Sequence, residues 1–305
     1  MKEEKRHILK YLNNNLKGDF STDELLSKHT WYKIGGPADF IVYPKDIEAL
    51  ISLVSFCRVV DVPINFIGEG ANLLVCDAGF RGVIIKLSRH FNSIEMKNNT
   101  VNVDAGVLLP DLVLYCEKNS LGGVEYLSGI PGTLGGALIM NAGTSKGDIS
   151  NSVQEVSTLD NQLNLEIINK NEIDFQYRFV PQFHERILLG CKLQLRYAEK
   201  SYLKEIRIDQ IQERANKQPI DYPSCGSVFK RPAKYYVGKL VEDAGLKGFR
   251  HGGAMISNKH AGFIINSDNA KAKDVMYIIR KVQEEVYKSF NVELEPEVKF
   301  LGFDP

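Results

Sequence analysis

The sequence Ser128-Gly-Ile-Pro-Gly-Thr-Leu-Gly-Gly-Ala-Leu-Ile-Met-Asn-Ala-Gly143 places five glycines, at positions 129, 132, 135, 136 and 143, around a short apolar run. Glycine permits backbone torsions and close approaches that a Cβ atom forbids. Successive backbone N–H groups in such turns form a concave nest that binds anions. A short helix from Thr133 through Asn141 would also direct its N-terminal N–H groups at a phosphate. The stretch therefore predicts a phosphate-binding turn.

A second glycine-rich turn, Gly68-Glu-Gly-Ala-Asn-Leu-Leu-Val75, follows an apolar strand predicted at residues 64–67. Two anion-binding turns in one chain indicate a ligand with a pyrophosphate, such as a dinucleotide. The second turn lacks the Rossmann fingerprint, because Leu73 occupies the position of the third glycine. For each turn taken alone, an ordinary surface turn is the alternative.

Composition argues against several classes of function. The chain has 38 Lys+Arg and 38 Asp+Glu, so its formal net charge is zero and it is not expected to bind nucleic acid or a membrane surface. Its five cysteines, an odd number without a C-x-x-C pair, predict reduced thiols and no metal site. The mixed-charge N-terminus does not resemble a signal peptide, and the apolar window 49–67 is interrupted by Arg58, Asp61 and Pro63. We therefore expect a cytoplasmic protein.

Hydrophobic periodicity predicts an α+β protein, with strands concentrated early and helices late. Helices are expected at residues 2–14, 47–57, 110–119, 201–216, 235–244 and 274–290. Strands are expected at residues 64–67, 83–87, 94–96, 101–103, 153–159, 163–168 and 187–195. Because the composition shifts after Arg196 and a highly charged helix follows, a domain boundary is expected near residue 200.

Further motifs occur along the chain, and they carry a resemblance to a known family. They are His29-Thr-Trp-Tyr-Lys-Ile-Gly-Gly-Pro-Ala-Asp39, Tyr177-Arg178, Pro223-Ser-Cys-Gly-Ser-Val-Phe-Lys230, Gly238-Lys-Leu-Val-Glu-Asp-Ala-Gly245 and Leu294-Glu-Pro-Glu-Val298. Together with the two turns, and in this order, they resemble the UDP-N-acetylenolpyruvoylglucosamine reductases, the flavoenzymes of bacterial peptidoglycan precursor synthesis. The length resembles the shorter form of that family, which lacks a substrate-capping loop.

The resemblance implies an architecture and a reaction. A two-part FAD-binding domain of the vanillyl-alcohol-oxidase (PCMH) type is expected at residues 35–197, split near 90–100, after an N-terminal helix and lead-in at 1–34. A C-terminal α+β substrate-binding domain is expected at 198–305. In the family, NADPH reduces FAD, and the reduced flavin passes hydride to the enolpyruvyl ether of a UDP-sugar, giving UDP-N-acetylmuramate. The expected partners are therefore NADPH and a small-molecule UDP-sugar, and the expected state is a monomer.

The resemblance also assigns both glycine-rich turns to the FAD pyrophosphate. The residues expected to bind the cofactor are Gly68, Gly70, Ala71, Asn72, Leu73, Ser128, Pro131, Gly132, Gly135, Gly136, Asn141 and Gly143. Neither turn contains a histidine, and no cysteine stands where a flavin tether is expected, so FAD should be bound non-covalently.

Three residues are expected to be catalytic because of the resemblance. Ser227 would be the proton donor, although a serine in such a segment more simply bonds its own backbone. Arg178 would polarise the substrate carboxylate and stabilise an enolate, although an arginine among aromatic residues is often a stacked structural cation. Glu297 would act with Arg178 as an acid or in a proton relay, although alternating glutamates are also typical of a solvated strand edge.

Residues with a predicted role in substrate binding are Tyr177, Lys217 and Lys230, the two lysines as cations for the UDP phosphates. A solvated lysine is the alternative for both. Cys225 is interpreted as a small wall residue, and His260 is assigned a structural role. Two other functions stay open at this stage: an FAD oxidase of the same fold that uses oxygen, and a catalytically silent nucleotide-binding protein.

Overall fold

The computed structural model describes residues 3–16 and 19–303. The α-helices in these ranges are α1 (Glu3–Asn15), α2 (Ile47–Val59), α3 (Leu109–Lys118), α4 (Leu134–Ile139), α5 (Lys200–Lys217), α6 (Val237–Asp243) and α7 (Ala272–Phe290). The strands are β1 (Phe20–Leu25), β2 (Pro37–Val42), β3 (Ile64–Phe66), β4 (Leu73–Val75), β5 (Phe80–Ile85), β6 (Ile94–Lys97), β7 (Thr100–Asp104), β8 (Leu121–Gly122), β9 (Gly143–Thr144), β10 (Gly147–Asp148), β11 (Val153–Leu159), β12 (Leu165–Asn169), β13 (Ile187–Gln194), β14 (Arg196–Tyr197), β15 (Ser224–Ser227), β16 (Arg250–His251), β17 (Ala254–Ile256), β18 (Phe263–Asn266) and β19 (Lys299–Leu301).

The larger sheets have the strand orders β1-β2-β5-β3, β12-β11-β13-β7-β6 and β15-β18-β17-β16. The chain divides into two compact units that are discontinuous in sequence. Unit 1 comprises residues 1–21, 41–68 and 84–213, and unit 2 comprises residues 22–40, 69–83 and 214–305.

Unit 1 is built on the five-stranded sheet, whose neighbouring strands are all antiparallel. The buried faces of α3 and α4 belong to the same apolar core as its central strands. Helix α2 begins at an Asp46 cap, whose carboxylate accepts from the Ala49 N–H at 2.7 Å. A capped helix with one apolar face is what the spacing in this segment predicts.

Unit 2 is built on the four-stranded antiparallel sheet β15-β18-β17-β16, and α7 packs on β16 and β17. The apolar stripe of α7, which includes Val275, Ile279 and Val282, is buried in this core. Strand β19 pairs in parallel with β4, so Lys299 lies opposite Leu73. This pairing joins the end of the chain to the Gly68–Val75 turn, which matters for the site.

The mixture of helix and sheet confirms the predicted α+β class. The predicted helices all occur, with ends that agree or are shifted by at most two residues, except that residue 2 lies outside the described residues. Helix α4 ends at Ile139 rather than continuing to Asn141. The C-terminal region contains strands β15 to β18 as well as helices, so the prediction that mainly helices occur there missed these four strands. The boundary predicted near residue 200 stays a prediction.

Candidate active site

The first turn of α4 is hydrogen-bonded within the protein. Thr133 is the cap residue, and its Oγ1 accepts from the Gly136 N–H at 3.3 Å. The N–H groups of Leu134 and Gly135 donate to carbonyls of residues 105–107, at 2.8 Å each. The expectation that this helix end directs its N–H groups at a phosphate is therefore corrected, because they hold α4 in place instead. Any contact between Gly135 and a cofactor would come from an atom other than its N–H.

The segment before α4 is anchored at both ends. Ser128 is buried, and its hydroxyl donates to the Glu125 carbonyl at 2.6 Å. The carbonyl of Gly132 accepts from the Leu109 N–H at 3.0 Å. Pro131, between them, is half-buried. These bonds present residues 129–132 as a fixed loop.

Two glycines of this region present bare backbone to the surface. Gly129 and Gly136 are both exposed. A Cβ atom at Gly136 would meet only the Thr133 hydroxyl, at 3.6 Å, so the space beside its backbone is open. Open, side-chain-free backbone beside a rigid loop suits the close approach of a pyrophosphate. The residues present therefore fit a flavin dinucleotide.

The two glycine-rich turns meet at Gly68. A Cβ atom at this position would lie 2.4 Å from the Thr133 hydroxyl, closer than real atoms approach. Glycine is thus required at position 68 for the Gly68–Val75 turn to pack against the cap of α4. Both residues belong to unit 1.

Arg178 occupies the corner of a tight turn in unit 1. Its backbone is left-handed, with φ of 59°, and its guanidinium lies 5.0 Å from the centre of the Tyr177 ring. Nη1 donates to the Asn141 carbonyl at 3.3 Å and Nη2 to the Gly143 carbonyl at 3.1 Å. The structure therefore brings the predicted catalytic arginine against the end of the glycine-rich stretch. Tyr177 is exposed.

In unit 2, residues 69–75 of the second glycine-rich turn are bonded to the segment of Glu297. The Asn72 amide donates to the Glu297 carbonyl at 3.0 Å, and the Lys299 N–H donates to the Asn72 carbonyl at 3.0 Å. The side chain of Asn72 therefore fixes the backbone at Glu297, and Ala71 beside it is half-buried. Sequence reasoning missed this contact, since 225 positions separate the two residues.

Ser227 and Glu297 lie on adjoining segments of unit 2. Ser227 ends β15 and pairs with Phe263, and its hydroxyl donates to the Phe229 carbonyl at 3.3 Å. The Glu297 N–H donates to the Val228 carbonyl at 2.7 Å. The hydrogen bond from the Ser227 hydroxyl to its own segment matches the structural alternative given for this serine from the sequence. The backbone bond between Glu297 and Val228 places the two predicted catalytic residues on adjoining segments.

The glutamates near residue 297 do not form a uniform solvated edge. Glu295 is exposed and its carboxylate pairs with the Lys230 ammonium at 2.5 Å, whereas Glu297 is half-buried. Lys217 is an exposed residue at the end of α5. The pair with Glu295 holds Lys230 beside the Glu297 segment.

Cys225 packs against Leu73 of the second glycine-rich turn. It is buried, and its thiol donates to the Leu73 carbonyl at 3.1 Å. Burial raises the pKa of this thiol well above its usual value, which disfavours the nucleophilic thiolate. These observations agree with the interpretation of Cys225 as a wall residue.

His260 supports the backbone next to Ser227. Its Nδ1 accepts from the Gly262 N–H at 3.0 Å, and the Gly262 carbonyl accepts from the Val228 N–H at 3.0 Å. A Cβ atom at Gly262 would lie 3.0 Å from the His260 ring and 3.6 Å from the Ser227 hydroxyl. The structural role expected of His260 is therefore to support the backbone at Gly262, beside Ser227.

A pH dependence of stability follows from His260. Burial lowers its pKa below the usual 6.5, aided by the charge of Lys247. Below about pH 6.5 the unfolded chain therefore takes up a proton that the folded protein resists, and the free energy of unfolding falls as pH falls. We expect His260→Gln to lose less stability than the wild type between about pH 7.5 and 5.5 in urea denaturation. Equal losses in the two proteins would contradict this account of His260.

A matched pair of glycine substitutions tests the turn at Gly70. Both Gly70 and Gly245 are left-handed, with φ of 62° and 74°, but a Cβ at Gly70 would lie 2.4 Å from the His29 carbonyl, whereas one at Gly245 meets nothing. Gly245→Ala should cost about 1–2 kcal/mol of unfolding free energy for the backbone conformation alone. Gly70→Ala should cost clearly more and reduce the FAD retained on purification. If urea denaturation gives the same loss of unfolding free energy for Gly70→Ala and Gly245→Ala, the clash at Gly70 is relieved and the prediction is wrong.

Family models match two parts of the chain. A model described as "FAD binding domain" matches residues 38–166. Another, described as "UDP-N-acetylenolpyruvoylglucosamine reductase, C-terminal domain", matches residues 218–301. Among solved structures, the glucose dehydrogenase Phl p 4.0202 aligns with a TM-score of 0.50 at 15% identity over 64% of this chain, which supports the fold alone. Fold, site and family model therefore define a flavoprotein with an FAD-binding domain.

Relatives along nearly the whole chain identify the family. The UDP-N-acetylenolpyruvoylglucosamine reductase of Clostridium beijerinckii is 42% identical over 284 residues, covering 92% of this chain and 93% of that protein. The enzyme of the same name from Caldanaerobacter subterraneus is 42% identical over 286 residues, covering 93% and 94%. The crystal structure of the Thermus caldophilus enzyme aligns with a TM-score of 0.80 at 33% identity, covering 91% and 97%. The chain belongs to the UDP-N-acetylenolpyruvoylglucosamine reductase family.

Proposed function

We propose that this protein reduces UDP-N-acetylglucosamine enolpyruvate to UDP-N-acetylmuramate, with NADPH as the electron donor and Arg178, Ser227 and Glu297 as the catalytic residues. The observation that carries the residue roles is the adjoining placement of Ser227 and Glu297, with the Asn72 amide bonded to the Glu297 carbonyl. A proton donor and a carboxylate are thereby held on neighbouring segments, which supports the assignment of both to the protonation step.

The hydride chemistry, from NADPH to the β-carbon of the enolpyruvyl group, would be supplied by FAD held at the two glycine-rich turns. The two electrons of the double bond then reside at the α-carbon, next to the carboxylate, as an enolate. A proton must reach the α-carbon for the lactyl ether to form, so the substrate gains one hydride and one proton in total. The protein residues have to stabilise the enolate and deliver the proton.

Ser227 delivers the proton in this proposal. Its hydroxyl is a weak acid, so the alkoxide that remains needs nearby positive charge. Lys230, three residues along the chain and 24% exposed at its side chain, is a candidate for that charge. The pairing of Lys230 with Glu295 holds the ammonium in place, and this pair would have to admit the substrate phosphates if Lys230 binds them too.

Arg178 binds the substrate carboxylate and stabilises the enolate. A guanidinium suits this role because it is planar, always charged and matched to a carboxylate in two-point contact. Its hydrogen bonds to the Asn141 and Gly143 carbonyls fix the orientation of the group before substrate arrives. Fixed charge of this kind lowers the barrier because it needs no reorganisation during the reaction.

Glu297 acts with Arg178 on the enolate, as an acid or by orienting the proton relay from Ser227. Tyr177 and Lys217 are proposed to contact the UDP-sugar. Tyr177 is exposed, and Lys217 is exposed at the end of α5, so both can reach a ligand. Support for these contacts comes from the family motifs.

Isotope labelling tests the proposed reaction. The enzyme would be incubated with the enolpyruvyl sugar and NADPH carrying deuterium at the transferable position, in ordinary water, and then with unlabelled NADPH in heavy water. The proposal predicts deuterium only at the β-carbon in the first case. In the second case it predicts deuterium at the α-carbon, with label at the β-carbon only to the extent that the hydrogen held by the reduced flavin exchanges with solvent. Label at the α-carbon in the first case, an unlabelled α-carbon in the second, or no lactyl product would contradict it.

We also propose that the protein is a cytoplasmic monomer. None of the helices in the described part of the chain has the length and hydrophobicity needed to cross a bilayer. All five cysteines are unpaired thiols, four of them buried, as in a reducing compartment. Light scattering on the purified protein tests the monomer, and cell fractionation tests the location.

A further inference from the structure

Asn141 lies where the glycine-rich stretch meets the turn of Arg178. Its relative exposure is 5%, and its backbone is left-handed, with φ of 40°. Its Nδ2 donates to the Gln176 carbonyl at 3.2 Å, and its Oδ1 accepts from the Ser150 N–H at 3.4 Å. Both ends of the amide are therefore bonded inside unit 1. The side chain is committed to the protein rather than to a ligand.

The turn that Asn141 contacts is unusual for an arginine. The Gln176 N–H donates to the Phe179 carbonyl at 3.0 Å, and the Phe179 N–H donates back to the Gln176 carbonyl at 3.4 Å. Arg178 sits at the corner with a left-handed backbone, which is unfavourable for a residue with a Cβ. Such a conformation persists where the surrounding contacts determine it, and these cluster at functional sites.

Asn141 holds this turn at two points. Its amide bonds the carbonyl of Gln176, two residues before Arg178, and its own carbonyl accepts from Arg178 Nη1. The backbone and the guanidinium of the same turn are therefore both fixed by one buried residue. A one-ångström displacement of a group that orients substrate can cost about 10²-fold in rate.

We propose that Asn141 is a positioning residue for Arg178, which it holds in the orientation that binds the enolpyruvyl carboxylate. The role differs from the cofactor contact expected for Asn141 from the sequence. The inference rests on the proposed function, since that function supplies the carboxylate. It assigns to Asn141 an effect on substrate recognition without any direct contact with substrate.

The variant Asn141→Gly isolates the amide. Glycine accepts the left-handed backbone and keeps the carbonyl that bonds Arg178, so the amide contacts are what the substitution removes. The matched control is Asn98→Gly, because Asn98 is also left-handed, with φ of 56°, in unit 1, and is exposed in the turn between β6 and β7. Asn98→Gly is expected to behave as the wild type in every measurement below.

Two ligands that differ by the carboxylate provide the readout. Calorimetry on the oxidised holoenzyme would measure the affinity for UDP-N-acetylglucosamine enolpyruvate and for UDP-N-acetylglucosamine, which lacks the enolpyruvyl group. Asn141→Gly is expected to weaken binding of the first by about 10-fold or more and of the second by less than about two-fold, with FAD content unchanged. Equal weakening for both ligands, or loss of FAD, would overturn the inference.

A double-mutant cycle tests whether Asn141 acts through Arg178. In an Arg178→Ala background, Asn141→Gly should have no further effect on binding of the enolpyruvyl sugar. A full additional loss there would also overturn the inference. Binding to the wild type distinguishes failure of the proposed function from failure of the inference about Asn141. If the wild type binds both ligands equally well, the carboxylate-binding role of Arg178 is wrong and the inference fails with it. If it prefers the enolpyruvyl sugar and Asn141→Gly retains that preference, the inference alone is wrong.

Discussion

Ser227→Ala is expected to leave reduction of bound FAD by NADPH within about two-fold of the wild type and to slow its reoxidation by UDP-N-acetylglucosamine enolpyruvate by about 10²- to 10⁴-fold. Hydride transfer from NADPH needs no proton from the serine, whereas protonation of the α-carbon does. The loss corresponds to about 3–5 kcal/mol of transition-state stabilisation. Anaerobic stopped-flow absorbance of the flavin measures the two half-reactions separately.

The control for this result is Ser224→Ala. Ser224 lies on the same strand, β15, and pairs with Ile265, so its replacement tests the general sensitivity of the strand. It is expected to leave both half-reactions close to those of the wild type. Equal slowing of both half-reactions in Ser227→Ala would remove Ser227 from the role of proton donor.

Glu297→Gln is expected to produce the second large effect, a slowing of the reoxidation step by about 10²-fold or more. Glutamine keeps the shape of the side chain and leaves the backbone bond to the Val228 carbonyl intact, but it cannot exchange a carboxyl proton. Reduction by NADPH and retention of FAD should be unaffected, because the change is confined to the proton-transfer group.

The alternating sequence around Glu297 offers a matched control. Glu293 precedes it by four residues and is exposed, so Glu293→Gln removes the same charge without changing the proposed proton path. It is expected to behave as the wild type in both half-reactions. If the two variants slow the reoxidation step equally, the effect is one of general charge, and Glu297 has no specific role.

Long elements of the fold could be predicted because their apolar residues follow one period. The stripe of α7 repeats at helical spacing and is buried as expected. Strands β15 to β18 could not be predicted in this way, since each has two to four residues. In β15 the chain includes Gly226 with a left-handed backbone, which interrupts any alternation. Tertiary pairing rather than local pattern defines these strands.

In the site, too, features set by local sequence could be predicted and features set by tertiary contacts could not. The need for glycine at positions 68 and 70 could be anticipated from the glycine-rich turns, and the structure supplies the atoms that exclude a Cβ. The hydrogen bonds at the N terminus of α4 could not be anticipated, because their acceptors, in the turn that follows β7, are distant in sequence. For the same reason, the spacing of the motifs does not predict the contacts Asn72–Glu297 and Asn141–Gln176.

The central claim is that one flavin is reduced by NADPH and reoxidised by the enolpyruvyl sugar. The most direct test is the anaerobic visible spectrum of the purified protein, with NADPH added first and UDP-N-acetylglucosamine enolpyruvate second. The account predicts an oxidised flavin band that bleaches with NADPH and returns with the sugar. A band that bleaches but returns only when oxygen is admitted would contradict the account, because the enolpyruvyl sugar would then not be the electron acceptor.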